Sequence, residues 1–151
     1  AEFRDPEGVE RAADGNDMTK MVLDGELDAA IFGTVLPSDP RFQSVIPDPD
    51  AAALAWYKKY GIVPLNHMVV VKRALSQSDP GAVREIFRML HDSKKAAGLP
   101  TAGAIDTLPF GFDAVKPALD LMSAYALEMK IIPRRYSVEE LFDNTTRVLQ
   151  A

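Results

Sequence analysis

The chain has 151 residues and no cysteine. Disulfides, thiol nucleophiles and zinc–thiolate centres are therefore excluded. The compartment stays open, because exported proteins can also lack cysteine. Histidine is nearly as scarce. His67 and His91 are the only two, and they are too far apart for metal-ligand spacing. No metal site is expected from them. Basic residues are outnumbered, 17 Lys and Arg against 22 Asp and Glu. The resulting net charge of -5 argues against nucleic acid or an anionic membrane as partner. No apolar run approaches the roughly 20 residues that span a bilayer. Dinucleotide, P-loop, HExxH, GxSxG and EF-hand patterns are all missing. The first residues, "AEFRDPEGVERAADG", lack the apolar core of a signal peptide and an initiating Met. They are expected to enter mid-domain, as in a fragment.

What is present fits a folded α/β protein. Hydrophobic residues make up 47% and charged residues 26%, which is enough for a core and typical of a soluble domain. Asn16 or Asp17 can cap a short helix carrying Met18, Met21 and Val22, with Gly25 closing it. "LDAAIF", Leu27 to Phe32, and "FQSVI", Phe42 to Ile46, read as short strands. "PDPDAAALAWYKKYG" has Asp48 as N-cap, Pro49 at the first helical position and Gly61 at the end. "MVVV", Met68 to Val71, reads as a strand buried on both faces. A charge at Val70 is accordingly expected to unfold the chain.

"SDPGAVREIFRMLHDSKKAAGLP" is a long helix, capped by Asp79 and stopped by Gly98 and Pro100. Val83, Ile86, Phe87 and Leu90 form its apolar face. "TAGAIDTLPFG" is a loop. "FDAVKPALDLMSAYALEMK" is a second long helix with a stripe of Leu119, Met122 and Ala126. Ser137 and Glu140 are spaced as a capping box, with Tyr136 and Leu141 as a staple, for a last helix running toward Leu149. Parallel strands between many helices predict part of a layered α/β fold, with more sheet than this stretch supplies.

Few residues are candidates for chemistry. "IVPLNHMVVV" sets Asn66 and His67 before the apolar run. His67 is either a hydrogen-bonded histidine at a strand start or an acid/base group titrating near neutrality. Gly33 and Thr34 end the first strand, where ligands sit in open α/β sheets, or they are simply its terminus. Arg41 can clamp a carboxylate or stand free on its loop. Asp28 is expected to bond nearby backbone, and His91, Arg134 and Arg135 are expected at the surface.

Four segments occur in order: "LDGELDAAIFG", "YKKYGIVPLNHMVVVKRAL", "SDPGAVREIF" and "PFGFDAVKPALDLMSAYALEMKIIPRRYSVEELF". Together they resemble the C-terminal half of the 4,5-dihydroxyphthalate decarboxylase-like proteins, a branch of the type 2 periplasmic-binding-protein-like fold. The resemblance runs from about Val22 to Leu149. Its most specific part is glycine-isoleucine-x-proline-x-x-histidine, matched at Gly61, Ile62, Pro64 and His67.

The resemblance implies two α/β lobes around a ligand cleft. Residues 1–60 would end the second lobe. Residues 61–151 would form a hinge strand and the C-terminal helices that pack on the first lobe. The implied reaction is non-oxidative decarboxylation of a dihydroxylated aromatic dicarboxylate. It needs no organic cofactor; a metal could help polarise the phenol, but this stretch supplies too few ligands to propose one. His67 would do acid/base work, with Asn66, Gly33, Thr34 and Arg41 around the substrate. The expected partner is a small aromatic or organic carboxylate. The expected location is the cytoplasm for an enzyme. The alternative is a non-catalytic solute-binding protein for a small organic anion, with a periplasmic location.

Overall fold

A computed structural model describes residues 5, 7–33 and 35–151. Thr34 lies outside the described residues. The chain divides into two units, one ending at Lys58 and the other spanning Lys59–Ala151.

In the first unit, α1 spans Met18–Leu23. The Asp17 carboxylate accepts the Lys20 N–H at 3.1 Å, which satisfies one free donor of the first turn. At the far end Gly25 adopts φ 77°, open to glycine at little cost. That lets the Gly25 and Glu26 N–H groups donate back to the Val22 and Met21 carbonyls at 3.2 and 2.9 Å. This is the reciprocal C-terminal closure that Gly25 leads one to expect. The helix α2, Pro49–Tyr60, starts where Asp48 accepts the Ala51 N–H at 3.0 Å. It ends at Gly61, whose φ is 64°.

Neither expected strand of this unit is formed. Leu27 to Phe32 and Phe42 to Ile46 join no ladder, and Ile31 and Val45 are 95% and 84% exposed. Phe32 and Phe42 instead meet edge to face, 5.5 Å apart. Among the described residues, the first unit holds no buried residue.

The second unit carries the core. Its helices are α3 (Arg73–Ser78), α4 (Pro80–Ala96) and α5 (Phe112–Glu128), followed by a 3-10 turn at Val138–Leu141. Asp79 caps α4 by accepting the Ala82 N–H at 2.9 Å, and Pro80 fills its first position. Gly98, at φ 69°, closes it. The buried face of α5 is Phe112, Val115, Ala118, Leu119 and Ser123, whereas Met122 is 41% exposed. The stripe is therefore rotated from the expected Leu119, Met122 and Ala126. Phe112, Val115 and Leu119 pack with Val138, with Leu65 and Phe142 against them. Ser123 Oγ donates to the Tyr136 carbonyl and accepts the Tyr136 N–H, both at 2.9 Å. This pair fixes the return of the chain onto α5.

Three further expectations need correction. The segment Met68–Val71 is not a buried strand: it pairs with no strand, and Val69 and Val70 are 72% and 87% exposed. A parallel strand gains its burial from neighbours on both sides. Among the described residues, no strand lies beside this segment. The last helix is one 3-10 turn. The Ser137 N–H donates to Glu140 at 2.9 Å as the capping box requires, but Leu141 stays 52% exposed. Beyond it the chain turns at Asp143, which accepts the Thr145 and Thr146 N–H groups at 3.1 and 2.9 Å. Finally, Arg73–Ser78 is helical where no element was expected.

The fold is thus helix-rich. Among the described residues the one β-type pairing outside helices is an isolated bridge between Gly111 and Gln150. It holds the chain end against the start of α5. Gly111 has φ 95°, and a Cβ there would lie 2.9 Å from the Gln150 side chain.

Candidate functional site

The apolar stripe of α4 does not close into the core. Val83 is 3% exposed, but Ile86 and Leu90 remain 39% exposed. They face a groove of about 690 Å³ within the second unit. That volume suits a small organic molecule. The groove runs between α4 and the 64–71 segment, with the 107–111 loop and the start of α5 as its other walls. Four phenylalanines, Phe87, Phe110, Phe112 and Phe142, give it aromatic surface.

Asn66 and His67 both line this groove and are both exposed to solvent. The structure therefore brings these two candidates onto one apolar wall. Their neighbours Pro64 and Leu65 turn the chain toward the core, where Leu65 packs. Among the described residues, no hydrogen bond holds the His67 ring.

The other candidates belong to the first unit or fall outside the described residues. Gly33 is exposed, and a Cβ there would meet open space, so its backbone does not demand glycine. Arg41 already grips a carboxylate. Its Nε and terminal nitrogen donate to Asp39 at 3.0 and 2.7 Å, and its N–H donates at 2.9 Å. This pairing holds the Asp39 carboxyl down at about 2.

Two features, one beside the groove and one on its wall, differ from what the sequence pattern leads one to expect. His91, expected at the surface, is half-buried. Its ring lies 5.4 Å from Phe110 and 6.4 Å from Phe87. Phe110 arrives from the 101–111 loop, which periodicity alone does not place.

The second feature is Lys94, whose side chain is only 9% exposed. Its ammonium donates to both oxygens of Asp106 at 2.8 and 2.6 Å and to the Leu108 carbonyl at 2.6 Å. It also lies 5.4 Å from the centre of the Phe110 ring. The Lys94 ammonium, then the Leu108 N–H, hold the Asp106 carboxyl below its usual range. A sequence signal for Lys94 did exist. Val83, Phe87, Leu90 and Lys94 follow helical spacing, so one cation continues an apolar stripe.

No group of three or more His, Asp or Glu able to hold a metal ion occurs among the described residues. No helix among them is long and apolar enough to cross a membrane.

Comparison with known proteins gives one relationship that bears on this groove. The chain is similar to 4,5-dihydroxyphthalate decarboxylase of Comamonas testosteroni. The two are 30% identical over a 127-residue alignment, which covers 78% of this chain and 38% of that protein. The chain thus spans well under half the length of the curated relative it matches. No family model matches it.

Proposed function

We propose that the groove takes up a small aromatic carboxylate, and that the protein acts in the non-oxidative decarboxylation of a dihydroxylated aromatic dicarboxylate. One observation carries this reading. His67 and Asn66 stand on the wall of an apolar, phenylalanine-lined groove in the second unit. The similarity to a dihydroxyphthalate decarboxylase supplies the substrate class. On this reading the two units belong to a larger two-lobed, periplasmic-binding-protein-like fold, and the segment from Ile62 to Val71 is a crossing between lobes.

The chemistry needs little from the protein. A ring hydroxyl para to the departing carboxylate raises electron density at the carbon that bears it. His67, as imidazolium, delivers a proton to that carbon. The bond to the carboxylate then breaks, and its electron pair restores the aromatic ring as carbon dioxide leaves. From 4,5-dihydroxyphthalate the product is 3,4-dihydroxybenzoate. Neutral His67 regains its proton from water. Asn66 and the aromatic walls orient the ring.

A second reading is supported by the His67 ring itself. Nothing among the described residues orients it by a hydrogen bond, and an acid/base histidine usually has such a partner. On this reading the groove binds a small organic anion without turnover. Incubation with 4,5-dihydroxyphthalate separates the two. Carbon dioxide and 3,4-dihydroxybenzoate are expected, and His67→Ala should abolish both while the variant still binds. Saturable binding without product would move the assignment to a binding protein.

A further inference from the structure

Among the described residues, Lys94 is the one Lys, Arg, Asp or Glu on the groove wall. The pair it forms is lopsided. Its own side chain is 9% exposed, while that of Asp106 is 41% exposed. Removing the anion from Lys94 would leave a buried ammonium uncompensated, which is costly. Asp106 faces the opposite situation, because it can turn to water and recover its hydration. An incoming carboxylate can therefore take the place of Asp106 without stranding either charge.

We propose that Lys94 is the carboxylate-recognising residue of the groove, and that Asp106 is an internal competitor occupying it until a ligand arrives. The proposal deepens the reading of the groove as an aromatic-carboxylate site and rests on it. The flanking geometry suits such a ligand. Phe110 lies under the ammonium and also lines the groove, so a ring stacked there would carry its carboxylate toward Nζ. For a dicarboxylate, Lys94 would hold the carboxylate that is retained, apart from the one lost near His67. Lys94 is then a specificity residue, and Asp106 sets its affinity.

The two residues give opposite signs, which a structural ion pair would not. Calorimetry on the whole protein would compare 3,4-dihydroxybenzoate with catechol, the same ring lacking the carboxylate. Lys94→Met should weaken 3,4-dihydroxybenzoate about tenfold or more and leave catechol unchanged. Lys94→Arg should restore part of the loss. Asp106→Asn keeps an acceptor for the Leu108 N–H, now 3.0 Å from Asp106 Oδ1, and removes only the charge. It should tighten 3,4-dihydroxybenzoate several-fold.

Equal weakening of both ligands in both variants, or no change in either, would overturn the role of Lys94 while leaving the groove as a site. Failure of the unaltered protein to bind either compound would overturn the groove reading itself, and this proposal with it.

Discussion

Phe112 and Phe142 meet edge to face, their ring centroids 5.0 Å apart and their planes at 88°. Phe112 opens α5 and is 7% exposed. Phe142 follows the 3-10 turn, and both rings line the groove. The floor of the candidate site is therefore the outer surface of the core, so packing and binding share residues.

Phe112→Ala should destabilise the protein by about 3–5 kcal/mol, because the cavity it leaves lies at the centre of the packed cluster. Phe142→Leu keeps most of the volume and should lose only the aromatic contact, about 0.5–1.5 kcal/mol. Urea denaturation followed by circular dichroism measures both. Equal losses would show that the ring geometry matters no less than the filled volume.

A paired test addresses the apolar 68–71 segment. Val70 is 87% exposed and Val138 is 2% exposed. Val70→Asp should leave thermal stability within about 0.5 kcal/mol of the parent, as exposed substitutions do. Val138→Asp should cost about 3–5 kcal/mol by stranding a charge in the core. Unfolding by Val70→Asp would mean that the segment is buried in solution.

The contrast between these two valines marks what could be read in the sequence. Helix ends are written locally. Asp79 with Pro80, Asp48 with Pro49, and Gly25, Gly61 and Gly98 each act within one turn, and all stand where expected. Strands are not written locally in this way. "MVVV" announces an apolar run, but its burial depends on neighbours that lie elsewhere along a chain. The α3 helix was invisible because Lys72 caps it without a side-chain bond and Asp79, at its end, also caps α4. In the candidate site, His67 and Asn66 were legible by residue type. Lys94 and Asp106 were not, because they meet across 12 residues between a helix and a loop. His91 was misplaced for the same reason, since Phe110 reaches it from that loop.

Acid should loosen the second unit. Arg134, and then the Ser137 N–H, hold the Glu140 carboxyl at about 2, down from 4.5. Asp106 is likewise lowered by Lys94. A lowered carboxyl contributes stability above its ordinary value and loses it as pH falls through its folded value. The melting temperature should therefore be flat above about pH 5 and fall steadily from there toward pH 2. Glu140→Gln should be less stable at pH 7 and should flatten the acid limb. An unchanged acid limb in that variant would mean that the Arg134 pairing does not form in solution.

The scarcity of histidine makes the central claim directly measurable. With only His67 and His91 present, the imidazole Cε1 protons give two proton NMR signals, one from each ring. His67→Gln assigns them by removing one. Titration with 3,4-dihydroxybenzoate should shift the His67 signal saturably, with a midpoint equal to the dissociation constant from calorimetry. The His91 ring lies against Phe87 and Phe110, both of which line the groove, and its signal should follow the same curve. Binding that leaves the His67 signal unmoved would contradict the assignment of the groove as the ligand site.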